Sequence, residues 1–161
     1  FTVGRFALEP NIETAQPGEA RCSVDFRSSE QGYLAAMEQA LHRHVRAAET
    51  AGGVRFAIRD ILREDPVAFD PGIRGAARSA AGRRGYAWRD LPSGAGHDAQ
   101  ILGRHVPAAM IFVPSVGGRS HCPEEFTHAA DIERGVTVLH DTLLWLATRE
   151  PSPHREPRLP Q

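Results

Sequence analysis

The sequence predicts a mixed α/β chain in two parts, and three observations carry that prediction. Over residues 1–62 the hydropathy pattern reads strand, strand, helix, strand, which is half of a small α+β layer with its helices on one face of a sheet. After Asp65-Pro66 the pattern changes to an alanine-rich helix, a continuous apolar run and a strongly amphipathic last helix. A length of 161 residues suffices for one ordinary domain with a core and falls short of two complete ones.

Phe1–Glu9 is rich in aromatic and β-branched residues and reads as a strand, with Gly4 placed to form a bulge. Pro10 to Gly18 holds two prolines and a glycine and reads as a connection. From Arg21 to Arg27 the chain alternates. Cys22, Val24 and Phe26 share one face, and Arg21, Ser23, Asp25 and Arg27 share the other. Ser28 and Gln31 have the spacing of a capping box, and the helix that follows carries Leu34, Met37, Leu41, Val45 and Ala48 on one stripe. Gly52-Gly53 stops it, and Val54–Leu62 alternates again as a strand.

In the second part, Ile73–Arg84 reads as a helix and Tyr86–Trp88 as a short strand. Ala108–Val113 has the unbroken apolar character of a strand buried on both faces. Ile132, Val136, Leu139, Leu143 and Leu146 mark the apolar stripe of the last helix. The tail 151–161 holds four prolines in eleven residues and is expected to be disordered. No internal repeat is present. The division is thus 1–65, 66–150 and the tail.

Hydrophobic residues make up 41% of the chain and charged residues 24%, both near globular norms. Nineteen basic residues, all arginine, against twenty acidic ones give a net charge of -1, which offers no electrostatic footprint for nucleic acid or an anionic membrane. The longest apolar stretch, Val106–Val116, is interrupted by two prolines and is too short to span a bilayer. Two cysteines, Cys22 and Cys122, make no disulfide framework, and no signal-peptide pattern opens the chain, so a soluble cytoplasmic protein is the expectation. The chain opens with Phe1 and enters a strand at once, as a piece of a longer polypeptide does.

Two loops have the composition of ligand sites. In Ser93–Ala99 (Ser-Gly-Ala-Gly-His-Asp-Ala), two glycines allow close backbone approach, and an adjoining helix start aims N–H groups at an anion; the plain alternative is a glycine-rich turn. Pro114–Glu125 leaves the C-terminal end of the apolar run, the side on which open α/β sheets place ligands. There His121 is either an exposed loop histidine or a ligand, and the carboxylates of Glu124 and Glu125 are close enough in sequence to orient its ring. Arg27, at the end of its strand, is either a solvated arginine or a planar fork for a carboxylate. His42 and His44, two apart on a helix, point to different faces and share no metal. His105, His128 and His140 read as surface residues, and Cys122 lacks an activating base for a nucleophile.

Three runs, Pro17–Arg27, Ser93–Ala99 and Met110–Glu125, resemble in order and spacing the metal-dependent amidohydrolases. More narrowly, they resemble the N-carbamoyl-L-amino-acid hydrolase, allantoate amidohydrolase and β-ureidopropionase group, and the resemblance covers about Phe1 to Ala147. It implies a zinc-peptidase-like catalytic domain interrupted by a ferredoxin-like lid that dimerises. Residues 1–65 would then be half of the lid, and 66–150 the C-terminal segment of the catalytic domain. It also implies hydrolysis of a linear amide or ureido C–N bond of a small carboxylate-bearing substrate, with two divalent ions (Zn or Mn) activating a water.

By the same resemblance, His121 matches a metal ligand, Arg27 the grip on the substrate carboxylate and Gly96 a backbone contact to the substrate. Thr14 stands where the family has a substrate-binding asparagine; its hydroxyl lacks the amide's paired donor and acceptor. The base and remaining ligands match nothing in the chain and are expected upstream of Phe1, so the isolated chain is expected to be inactive. Two alternatives stand beside this one: a non-catalytic dimerisation or binding module derived from such an enzyme, and aminoacylase or peptidase activity in the parent.

Overall fold

A computed structural model describes residues 1–149. It has mixed helix and sheet content and divides into two compact units, Phe1–Pro66 and Val67–Gln161.

In the first unit, β1 (Thr2–Glu9) and β2 (Glu19–Asp25) form an antiparallel pair with ends at Thr2↔Asp25 and Glu9↔Glu19. The register slips between Val3 and Arg5, so Gly4 is the bulge its position predicted. The slip has a purpose that alternation alone hides. Side chains alternate strictly along a strand, so without the extra residue Val3 and Phe6 would point to opposite faces. With it, Val3, Phe6 and Leu8 line up with Val24, Cys22 and Ala20 on one apolar face. Val3 and Phe6 on that face remain 54% and 65% exposed.

The helix α1 (Gln31–Gly52) follows, with Leu34, Met37, Leu41 and Val45 half-buried as the stripe predicts and Ala48 exposed. Ser28 does not cap it. Its hydroxyl accepts the N–H of Glu30 at 3.0 Å, a local turn, and Glu30 takes the cap position without a side-chain bond. Gly53, at φ 65°, ends the helix in the left-handed region that glycine enters without steric cost. The strand expected at Val54–Leu62 is absent: this stretch has no ladder partner among the described residues, and Ile61 and Leu62 are exposed. Its ties run instead to α1, where Arg63 pairs with Glu38 and the Phe56 N–H donates to Glu49 at 3.0 Å.

In the second unit, α2 (Pro71–Arg83) starts two residues earlier than the apolar pattern indicates. Pro71 occupies the first turn, where its missing N–H costs nothing, and Asp70 accepts the Ile73 N–H at 2.8 Å. The Asp70 N–H donates to Ala108 at 2.9 Å, so one residue caps the helix and ties down the apolar run. Asp70→Ala should therefore destabilise the chain by about 1–2 kcal/mol. A urea melt of the variant beside the parent checks this, and an unshifted midpoint would contradict the cap.

α2 packs on α4 (Ala129–Thr148), where Ala80 and Ala81 cluster with Val138, and Ala76 of α2 and Thr142 of α4 are buried as well. The buried Thr142 hydroxyl is satisfied by the Val138 carbonyl at 2.7 Å. Arg84 closes the C-terminal end of α2 with a two-pronged bond to Asp141 at 3.1 and 3.2 Å. The predicted stripe on α4 is not the buried one. Ile132, Val136, Leu139 and Leu143 are exposed and only Leu146 of the stripe is half-buried, while Gly135, Val138 and Thr142 turn inward. Close helix packing selects the smallest side chains, whereas hydropathy patterning weights the largest.

Neither Tyr86–Trp88 nor Ala108–Val113 forms a strand among the described residues. The apolar run is not buried on both faces. Ala108–Ile111 are half-buried, Ile111 and Tyr86 lie against Ala80, Ala81 and Val138, and Phe112 is 51% exposed. A strand exists only where a neighbour completes its ladder, and none of the described segments does so. The expected disorder of 151–161 lies outside the described residues.

Candidate functional site

The loop 114–125 is braced at its base and left-handed at its tip. The Val116 N–H donates to the Phe126 carbonyl at 2.8 Å, and the Ser115 hydroxyl donates to the Arg119 carbonyl at 2.6 Å. A short 3₁₀ turn, Val116–Gly118, holds two glycines each at φ 66°, positions closed to most other residues. His121 is also left-handed, at φ 59°, and is the one such non-glycine residue among those described. Its ring is exposed and makes no hydrogen bond or ion pair among the described residues.

The two glutamates do not orient that ring. Glu125 accepts the backbone N–H of His121 at 2.7 Å, and Glu124 lies 3.8 Å from the Arg119 guanidinium. A carboxylate four residues on reaches the main chain more readily than the side chain because the Cys122–Glu125 turn folds it back. Among the described residues no three His, Cys, Asp or Glu side chains converge as a metal site would need. His121 is thus fit to be one ligand, and the described residues alone do not fit a pair of metal ions.

The Ser93–Ala99 loop is pinned by Ser93, whose hydroxyl donates to the Ala95 carbonyl and accepts the Ala95 N–H. The helix start behind it, α3 (Asp98–Leu102), is not an open anion site, because the His97 Nδ1 itself accepts the Ala99 N–H at 3.1 Å. Gly96 is exposed, and a β-carbon added there would meet nothing within 4 Å. Nothing among the described residues requires glycine at that position.

Arg27 lies two residues beyond β2, where its Nε and Nη2 both reach Asp25 Oδ2, at 2.8 and 2.6 Å. The guanidinium holds the Asp25 carboxyl below the usual carboxylate range, and Asp25 in turn raises the arginine. Thr14 sits in an exposed turn of the connection between the strands, at the Glu9↔Glu19 end, and Arg27 follows the Thr2↔Asp25 end. The hairpin register therefore sends the two residues out from opposite ends of the sheet.

The other candidates have structural partners or surface positions. The His44 ring N–H donates to the Ala40 carbonyl one turn back, and His128 packs edge-on against Phe126. His105 and His140 are exposed, and Cys22 and Cys122 are both free thiols. The sequence offered no signal for Ser115, and it pointed Glu125 at the ring of His121 where the bond goes to the main chain. The signal for Glu125 was the proline two positions before it, which favours a turn that returns the glutamate toward His121.

The family model of peptidase family M20/M25/M40 matches residues 5–145. Allantoate amidohydrolase of Bacillus subtilis (strain 168) is 39% identical over 147 residues, which are 91% of this chain and 36% of that protein. N-carbamoyl-L-amino-acid amidohydrolase of Paenarthrobacter aurescens is 33% identical over 138 residues, 86% of this chain and 34% of the relative. The crystal structure of an amidase of the hydantoinase/carbamoylase family from Burkholderia multivorans superposes with a TM-score of 0.85 at 40% identity, covering 92% of this chain and 36% of that one. The chain spans about a third of the length of the relatives it matches.

Proposed function

The chain belongs to peptidase family M20/M25/M40, and from that premise we propose that it is the C-terminal portion of an amidohydrolase cleaving a linear amide or ureido C–N bond. The substrate class is an N-carbamoyl amino acid or an allantoate-like ureido acid, after the activities named for the relatives. The observation that carries the reading is the braced loop presenting the exposed ring of His121 at a left-handed backbone position.

In this reading His121 holds one of two divalent ions, Zn or Mn, which together would supply an activated water. The other ligands and the carboxylate base lie outside the described residues. Arg27 binds the substrate carboxylate, exchanging Asp25 for it, and Gly96 leaves room for the substrate against the backbone. Thr14 offers a hydroxyl where the family uses an amide. Residues 1–65 act as half of a lid, whose apolar hairpin face suits self-association into a homodimer.

The exposed apolar face of the hairpin, Val3 and Phe6 above all, favours a second reading, a non-catalytic dimerisation or binding module. One experiment separates the two. The matching segment of the Bacillus subtilis allantoate amidohydrolase is replaced by this chain, and hydrolysis of allantoate and N-carbamoyl-L-amino acids is assayed with metal content. An active hybrid that loses metal in His121→Ala supports the enzyme. A folded but inert hybrid, or one whose metal content ignores His121→Ala, supports the module. Calorimetry of the 161-residue chain alone, with Zn²⁺ or Mn²⁺, should show only weak binding. Two tight ions lost in His121→Ala would mean that the site is self-contained.

A further inference from the structure

We propose that Glu125 is a positioning residue: its carboxylate locks the His121 backbone in the left-handed region and so fixes the direction in which the ring leaves the loop. The ring's role as a metal ligand rests on the reading above; the lock itself does not.

A histidine in the left-handed region is at a steric disadvantage and returns to the ordinary right-handed or extended regions unless the surroundings hold it. The surroundings that do so are local. Pro123 occupies the second position of the Cys122–Glu125 turn, and its ring presets the backbone angle that the position requires. The Glu125 N–H closes the turn on the Cys122 carbonyl at 3.0 Å, which carries the glutamate back past the tip. Its Oε2 then takes the His121 N–H at 2.7 Å, a short charge-assisted bond to the residue just before the turn.

Two further features make the lock specific to Glu125. Glu124, adjacent in sequence, turns toward Arg119 instead, so the two acidic residues have separate tasks. The base of the loop is closed by Ser115 and Phe126, which leaves the tip as the part still needing a constraint. Rotation of the His121 backbone out of this region would swing the Cα–Cβ bond, and the ring with it, away from its present direction.

The test uses the 161-residue chain, isotopically labelled, and reads His121 directly by NMR. A left-handed residue brings its amide and α protons together and gives a strong cross-peak within the residue. Glu125→Ala should weaken that cross-peak and speed exchange of the His121 amide by about 10- to 100-fold, the loss of one hydrogen bond to a charged group. Glu125→Gln, which keeps a side-chain acceptor at the same reach, should restore both signals. Glu124→Ala should leave both as they are.

In the hybrid enzyme, Glu125→Ala should weaken Zn²⁺ binding by about 10- to 100-fold, with recovery in Glu125→Gln. A His121 signal indifferent to Glu125→Ala, or a failure of Glu125→Gln to restore it, overturns the lock. A His121 signal that moves while Zn²⁺ affinity does not overturns the aiming role. A hybrid with intact Glu125 that binds no metal defeats the amidohydrolase reading instead, and the NMR arms still decide the lock.

Discussion

In the hybrid enzyme, Arg27→Met should raise KM for N-carbamoyl amino acids by about 10- to 100-fold while leaving KM for neutral, carboxylate-free analogues almost unchanged. The reason lies in how Arg27 is held. Its planar fork already grips one oxygen of Asp25, beyond the end of β2. A guanidinium so engaged is preorganised for a carboxylate, and binding exchanges one such partner for another in the same geometry. Arg27→Lys should recover only part of the loss, because an ammonium keeps the charge and discards the fork. Steady-state kinetics on matched acid and amide substrates decide the matter. Equal losses on both would remove Arg27 from the carboxylate and leave it a structural partner of Asp25.

The second large effect concerns stability and rests on two glycines in helices that face opposite conditions. A β-carbon on Gly135 of α4 would fall inside the van der Waals envelope of the Val113 Cγ1, and valine's branched side chain has few rotamers in which to retreat. A β-carbon on Gly75 of α2 would meet nothing within 4 Å. Alanine favours a helix over glycine by about 1 kcal/mol, and overpacking costs about 1–3 kcal/mol. Gly135→Ala should therefore destabilise by up to about 2 kcal/mol, whereas Gly75→Ala should stabilise by about 0.5–1 kcal/mol. Urea denaturation of the two variants side by side reads the difference. Stabilisation in both would mean that the apolar run does not press on α4.

Much of the local structure was legible. The alternation of Arg21–Arg27, the bulge at Gly4 and the stop at Gly52-Gly53 all depend on neighbours in the chain, so a single sequence reports them. The start of α2 was legible too, in the Asp70-Pro71 pair, although the apolar pattern drew attention to Ile73. Candidate residues were legible in a weaker sense: loop composition singled out His121 and Gly96, and strand position singled out Arg27. What each of them touches was not. That Glu125 bonds the His121 main chain, that His97 caps its own helix and that Asp25 holds Arg27 are facts of geometry over two to four residues.

By itself the sequence determined the order of the helices and the β1–β2 hairpin, the break near Asp65-Pro66 and the membership that its loop motifs suggested. Those depend on residue identity and short-range spacing, which the chain carries everywhere. Only the tertiary structure decided which face of α4 turns inward, and that Val54–Leu62, Tyr86–Trp88 and Ala108–Val113 stand without ladders among the described residues. A helix closes its own hydrogen bonds, but a strand must borrow a partner's. Which face of a helix is buried depends likewise on the residues that approach it, and against Ala76, Ala80 and Ala81 the small residues of α4 pack closest.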